Sequence, residues 1–265
     1  MPIIVWLVYA FIFGLLFGSF ANVVIYRLPR GMNIVAPPSA CTACGKRLMA
    51  FDLIPIASWL TLKGRCRYCA VKVSIRYPLV ELACGVLFMC MVFYTPSLSA
   101  VPLAFLGFLM VCVIMIDTDT REIPNGLVIV GMLVGMAWVV SAQFVPMLFP
   151  LTPTWYEALL GMVVGALAAP IMSIQRIGMG VKKPALSFFM TNVFDYAKLA
   201  VVIGLFIGWQ PMVCVFFLSM ILFASTVLAF IIKKKKTYIP FSPFLCISAL
   251  FVLWFGQSLF SYIFR

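Results

Sequence analysis

The sequence contains no histidine and only seven carboxylate side chains in 265 residues. The first absence excludes mechanisms that use an imidazole as base, nucleophile or metal ligand. Charged residues make up 10% of the chain, where an ordinary soluble domain has about 25%, so a soluble globular protein is excluded. Hydrophobic residues reach 65% and the mean hydropathy is +1.17. Apolar surface is too abundant for intrinsic disorder. No solenoid-type repeat is visible.

The apolar residues fall into runs long enough to cross a bilayer, which takes about 20 residues. Spans are expected at about 4–26, 78–94, 101–116, 126–145, 156–175, 198–209, 212–232 and 241–263. The first run has only Met1-Pro2 before it and stays apolar for more than 20 residues, so it reads as a retained span and not as a cleaved signal peptide. The fold class is therefore an all-α polytopic membrane protein of about eight transmembrane helices. The expected organisation is a first helix at 1–26, a polar module at 27–77 and a membrane core at 78–265.

The net charge of +12 is read as topology, and no nucleic-acid partner is expected. All 19 Lys and Arg except Arg265 fall on one side of an eight-span arrangement: nine in 27–76, then Arg121, Arg176, Lys182, Lys183, Lys198 and Lys233–Lys236. The positive-inside rule puts the polar module in the cytoplasm and both termini outside. Seven spans would divide the basic loops between the two sides. Glycines four apart recur at Gly14/Gly18, Gly131/Gly135, Gly161/Gly165 and Gly204/Gly208. That spacing lets helix backbones approach closely, and ordinary helix packing is the expected role.

The polar module holds Cys41-x-x-Cys44 and Cys66-x-x-Cys69, with 21 residues between the pairs. Two such pairs suit a tetrahedral zinc site, and four thiolates leave no open position, so the zinc would be structural. A module of about 50 residues has little core of its own, and metal is a usual remedy. Lys46, Arg47, Lys63, Arg65 and Arg67 would offset the negative tetrathiolate. Cys84, Cys90, Cys112, Cys214 and Cys246 lie in spans and are expected to pack.

The carboxylates are Asp52, Glu81, Asp117, Asp119, Glu122, Glu157 and Asp195. An ionisable group at or inside a span is costly and is a functional candidate by default. Asp52 lies in the polar module, and Glu157 starts a span on the outer side as a helix N-terminus. Glu81 follows Arg76 closely, and an ion pair and a catalytic role are both open for it. Asp117 ends the run Val111-Cys-Val-Ile-Met-Ile116, and Asp195 precedes the sixth expected span. Both would lie at cytoplasmic helix ends at similar depth. Two carboxylates across a water-accessible pocket can share a proton: one acts as base toward water, and the other, protonated, polarises a carbonyl. That is aspartyl protease chemistry, and it needs no histidine. Solvated helix ends are the bland alternative for both. Asp119 is an alternative first partner, although in a continuous helix it projects about 200° from Asp117.

Several motifs taken together resemble the type IV prepilin peptidases. These are Gly18-Ser-Phe-Ala-Asn-Val-Val-Ile-Tyr-Arg27-Leu-Pro, Pro37-Pro-Ser-Ala-Cys41-x-x-Cys44 and Asp52-Leu-Ile-Pro-Ile-Ala-Ser58. Lys63-Gly-Arg-Cys66-x-x-Cys69 and Arg76-Tyr-Pro-Leu-Val-Glu-Leu82 continue the series. Further on come Ile116-Asp117 with Pro124-Asn125, Lys198-Leu199 with Gly204 and Gly208-Trp209, and Pro240-Phe-Ser-Pro-Phe244. The resemblance implies a Gly-x-Gly-Asp-type membrane aspartyl protease of the bacterial inner membrane. It would cut the basic leader of prepilins or pseudopilins of type IV pilus and type II secretion systems at the cytoplasmic face. S-adenosylmethionine-dependent N-methylation of the new N-terminus is implied by the resemblance alone.

The second family motif departs from its pattern, Gly-x-Gly-Asp-x-Lys-Leu. The stretch here is Asn192-Val-Phe-Asp195-Tyr196-Ala-Lys198-Leu199, without the glycines and with two residues between Asp and Lys. Ungapped alignment on Lys198 puts Tyr196 at the catalytic position, and alignment on Gly178-Met-Gly180 puts Val181 there. Neither residue can do the work of a carboxylate. Asp195 is the only carboxylate after Glu157, and it is the expected partner of Asp117. The alternative is a degenerate homologue that binds such substrates without cutting them. A transporter using intramembrane carboxylates is a third class, but paired inverted halves are not visible.

Overall fold

The computed structural model describes residues 3–174, 186–232 and 239–263. Among them the regular structure is helical, with no strand longer than an isolated bridge, and residues 31–75 are mostly turns and irregular chain. The helices are α1 (Ile3–Arg27), the short α2 (Ala57–Thr61), α3 (Arg76–Tyr94), α4 (Ala100–Thr120) and α5 (Asn125–Phe144). After these come α6 (Trp155–Ile174), α7 (Leu186–Ile207), α8 (Trp209–Ile232) and α9 (Ser242–Ile263). Apart from α2 each has 19 to 25 residues. At 1.5 Å per residue that approaches or spans a hydrocarbon core of about 30 Å. Five of them, α1, α3, α4, α5 and α8, are long and apolar enough to cross a membrane on their described residues alone. Shorter apolar stretches lie at Trp155–Ala168 and Ser242–Gly256.

Two compact units divide the chain at residue 115. In the first, α1 packs closely along α3. A Cβ placed on Gly14 would sit 2.5 Å from the Cys84 carbonyl, and one on Gly18 would sit 2.5 Å from the Glu81 Cα. Phe17 adds an edge contact to Phe108 of α4, with centroids 5.5 Å apart. The polar segment is tied to these helices by hydrogen bonds. Asn22 Nδ2 donates to the Tyr77 carbonyl at 3.2 Å, and buried Arg27 donates through Nη1 to the Asn33 carbonyl at 3.1 Å.

In the second unit α6 and α7 are in backbone contact. A Cβ on Gly161 would collide with the Gly204 carbonyl, and one on Gly165 would lie 2.5 Å from the Ala200 carbonyl. Gly135 of α5 faces the Leu205 and Phe206 side chains of α7. Trp138 stacks obliquely on Phe206, with centroids 5.6 Å apart. Gly14, Gly18, Gly135, Gly161, Gly165 and Gly204 thus let helices touch, as their spacing suggested.

One boundary differs from expectation. The sixth span was expected to begin at Lys198 after a polar loop, but α7 is already helical from Leu186. Thr191, Asn192, Asp195 and Lys198 look loop-like as residue types, yet Asp195 and Lys198 are an i, i+3 pair on one helix face. Asp195 therefore sits nine residues inside α7, about 13 Å from its first described residue. Arg176, Gly178, Gly180, Lys182, Lys183 and Lys233–Lys236 lie outside the described residues.

The α6–α7 contact gives a direct test. Gly204→Ala forces a methyl group against the Gly161 carbonyl. It is expected to destabilise the folded protein by about 1–3 kcal/mol, measured as a lower thermal unfolding midpoint in detergent.

Candidate active site and metal centre

The four cysteines of the polar segment converge. The Sγ atoms of Cys41, Cys44, Cys66 and Cys69 all lie within 4.8 Å of one another, and Cys41 and Cys69 are 3.9 Å apart. A metal bound to four thiolates at about 2.3 Å would hold its sulfurs about 3.8 Å apart, so the donor set fits such an ion. The cluster is made by two copies of one local structure. An isolated bridge pairs Ala40 with Arg47 around the first Cys-x-x-Cys, and another pairs Arg65 with Lys72 around the second. In each, the leading cysteine N–H donates across the loop, Cys41 to the Lys46 carbonyl and Cys66 to the Val71 carbonyl, both at 2.9 Å. The return bond comes from Gly45 to the Cys41 carbonyl and from Ala70 to the Cys66 carbonyl.

Gly45 and Ala70 are equivalent and both left-handed, with φ of 69° and 56°. Glycine adopts that conformation freely, and alanine does so at a cost. Backbone N–H groups of Cys44 and then Ala43 favour the thiolate of Cys41 and lower its pKa to about 6.

Asp52 braces the second knuckle. Its carboxylate accepts Arg67 Nε at 2.6 Å, the Tyr68 hydroxyl at 3.3 Å and the Met49 N–H at 3.1 Å. The Arg67 guanidinium holds the Asp52 carboxyl below the usual carboxylate range. Glu81 accepts the Ile56 N–H at 2.8 Å. Ile56 has a φ of 61°, which strains a β-branched residue. Glu81 therefore joins α3 to the polar segment at its most contorted residue. Arg76 Nη2 donates to the Met115 carbonyl at 3.2 Å.

In the second unit Asp117 is 1% exposed. It lies three residues from the end of α4, where Arg121 takes a left-handed φ of 64° and donates its N–H to the Asp117 carbonyl at 3.0 Å. Because α4 is continuous to Thr120, Asp117 turns into the protein while Asp119 is exposed. The hydroxyl of Ser242, the first residue of α9, donates to Asp117 Oδ2 at 2.6 Å. Fully buried Cys246, one turn further along α9, lies within electrostatic reach of Asp117.

Asp195 is partly exposed at 17% and accepts Lys198 Nζ at 2.7 Å. The same ammonium donates to Asn125 Oδ1, also at 2.7 Å. Asn125 opens α5, so Lys198 ties α7 to the turn that follows Asp117. Tyr196 is 1% exposed; its hydroxyl accepts the Phe241 N–H at 3.2 Å, and the two rings meet edge to face at 5.6 Å. Asp117, Asn125, Asp195, Tyr196 and Ser242 are thus linked through the ends of α4, α5 and α9 and the middle of α7. Glu157 is held at the start of α6 by the Thr154 N–H and hydroxyl, at 2.8 and 2.7 Å, as befits a helix N-terminus.

The motif residues Asp117, Asn125 and Lys198 were visible in the sequence, but the Lys198–Asn125 bond was not. Ser242 was quoted only inside Pro240-Phe-Ser-Pro-Phe244. The available signal was a hydroxyl residue at the start of an apolar helix, in a chain with few partners to offer a buried carboxylate.

Comparison with known proteins covers both units. Residues 12–95 match the model of the bacterial peptidase A24 N-terminal domain, and residues 103–228 match that of the type IV leader peptidase family. The first match contains all four clustered cysteines, and the second contains Asp117 and Asp195. Among relatives, a prepilin leader peptidase/N-methyltransferase of Bacillus subtilis is 30% identical, with 95% of each chain covered. One of Stutzerimonas stutzeri is 31% identical over 94% of this chain and 91% of its own length. One of Myxococcus xanthus is 36% identical over 82% of this chain, and the match spans 59% of that longer protein. No solved structure matches the chain.

Two outcomes are expected for the cysteine cluster. Metal analysis by mass spectrometry should find about one ion per purified chain, and the Cys41→Ser/Cys66→Ser double variant should lose it. Ala70→Gly should relieve the left-handed strain by about 1 kcal/mol, seen as slower metal loss to a chelator.

Proposed function

Because the chain belongs to the type IV leader peptidase family, we propose that it is a membrane aspartyl endopeptidase that removes the basic leader of type IV prepilins or pseudopilins. The observation that carries this reading is Asp117. It is a buried carboxylate at the end of an apolar helix, inside the segment matched by the family model and hydrogen-bonded to a helix that starts at the same level. Asp195 is its proposed catalytic partner. In the working state one carboxylate takes a proton from water as the water attacks the scissile carbonyl. The other, protonated, donates a hydrogen bond to the carbonyl oxygen. Lys198 and Asn125 would hold Asp195 in place.

In this reading residues 27–77 form a cytoplasmic module and 78–265 the protease core, with both termini outside. The loop charges and the even number of long helices support that orientation. The four cysteines would hold zinc, which prefers sulfur ligands and fits their spacing. Zinc there would fix the fold of the module and take no part in bond cleavage. The relatives' names include an N-methyltransferase activity, and methylation of the new N-terminus from S-adenosylmethionine is proposed for this chain on that ground. No residue of the chain is assigned to that cofactor.

The alternative, a homologue that binds leader-bearing substrates without cutting them, rests on the altered motif around Asp195, which lacks the glycines and has two residues before Lys198. No comparison supports it. A cleavage assay in detergent with a prepilin substrate separates the two. Wild type is expected to cut, and Asp117→Asn and Asp195→Asn to fall below about one-thousandth of its rate while still inserting in the membrane. A silent wild type beside an active control enzyme would establish the binding reading. Full activity in Asp195→Asn would keep the protease but remove Asp195 from its site.

A further inference from the structure

We infer that Ser242 is a positioning residue for the reaction: its hydroxyl fixes the Asp117 carboxylate in the orientation from which Asp117 acts on water. The inference rests on the protease reading above and adds to it an uncharged group outside the two aspartates.

Both partners are sealed from solvent, with Ser242 at 0% and Asp117 at 1% exposure. Their 2.6 Å separation falls in the range of charge-assisted O–H···O⁻ bonds, which are about twice as strong as neutral ones. An aspartate has two soft torsions, and the ring-like flip of its carboxylate is easy when nothing holds it. A hydroxyl that donates to Oδ2 removes that freedom and sets the direction of the whole group.

The bond is useful only if Ser242 is itself held, and three contacts hold it. Tyr196 of α7 accepts the N–H of Phe241, the residue just before Ser242. That N–H lies just before the first turn of α9, where backbone donors have no partner within the helix. The Phe241 ring is packed against Tyr196 at 5.6 Å and Phe223 of α8 at 5.3 Å. Pro243 follows at the second helical position, where its missing N–H costs nothing. Tyr196 thus has a task at the position where ungapped alignment would put a carboxylate. It latches α7 to the start of α9 and so holds Ser242 against Asp117.

The test compares Ser242→Ala and Ser242→Thr with wild type and Asp117→Asn, all as full-length protein in detergent. Ser242→Ala is expected to lower kcat about tenfold, equivalent to about 1.4 kcal/mol, with KM within about twofold; losing a hydrogen bond to a buried carboxyl should also lower the melting temperature, and Ser242→Thr should restore it. Ser242→Thr, which keeps the hydroxyl, should restore most of the rate. A general loosening of the fold would lower both variants or move KM. A wild-type kcat in Ser242→Ala, with Asp117→Asn inactive, overturns the positioning role and leaves the protease reading intact.

A second readout needs no turnover. The infrared difference spectrum between the wild-type background and Asp117→Asn isolates the Asp117 carboxyl bands. These should shift in Ser242→Ala and return in Ser242→Thr. Bands unmoved by Ser242→Ala would refute the hydrogen bond whether or not the protein cuts.

Discussion

A carboxylate buried at the end of an apolar helix is unstable unless something inside the protein replaces the water it has lost. Burying an unpaired charge costs several kcal/mol, in a domain whose net stability is about 5–15 kcal/mol. In this chain the constraint falls on Asp117, and the surrounding structure can be read as its answer. Ser242 supplies a hydroxyl to the carboxylate, and Tyr196 and Phe241 fix the helix that carries the serine. Lys198 reaches the opening of α5 and pairs with Asp195 on the way. Three helix ends and the middle of α7 are held together by polar bonds in a region where α6 and α7 pack by glycine contact. Precise placement of polar groups needs rigid supports, and the bare backbone approach of α6 to α7 at Gly161 and Gly204 provides one.

The polar segment is built by different physics. Few of its apolar residues are buried, and its form comes from turns: two hydrogen-bonded knuckles, an aspartate that bridges from Met49 to Arg67, and a glutamate of α3 that meets the strained Ile56. Each knuckle aims two thiols at one point, and the donor set fits a metal ion bound by four thiolates. The zinc proposal concerns folding of the module, whereas the proposal for the two aspartates concerns bond cleavage.

Much of this was legible in the sequence because the membrane restricts the choices. Long apolar runs separated by basic loops disclose helices directly, and a chain with seven carboxylates invites a reason for each. The Cys-x-x-Cys pairs announced a cluster because the local loop geometry follows from their spacing. The start of α7 was misjudged because Thr191, Asn192, Asp195 and Lys198 are polar, and polarity at a membrane border does not separate loop from helix. The i, i+3 spacing of Asp195 and Lys198 was the overlooked clue. Ser242 was hidden for another reason. Its partner lies 125 residues away, and no local pattern reports a contact set by tertiary structure.

The central claim is that Asp117 and Asp195 serve one site. Cysteine cross-linking in native membranes tests it most directly, with Asp117→Cys combined with Asp195→Cys and linked peptides identified by mass spectrometry. Asn125→Cys with Lys198→Cys serves as the control pair, since those side chains touch. The account predicts that a short bifunctional reagent joins positions 117 and 195 as readily as the control. A linked control beside unlinked 117 and 195 would contradict it.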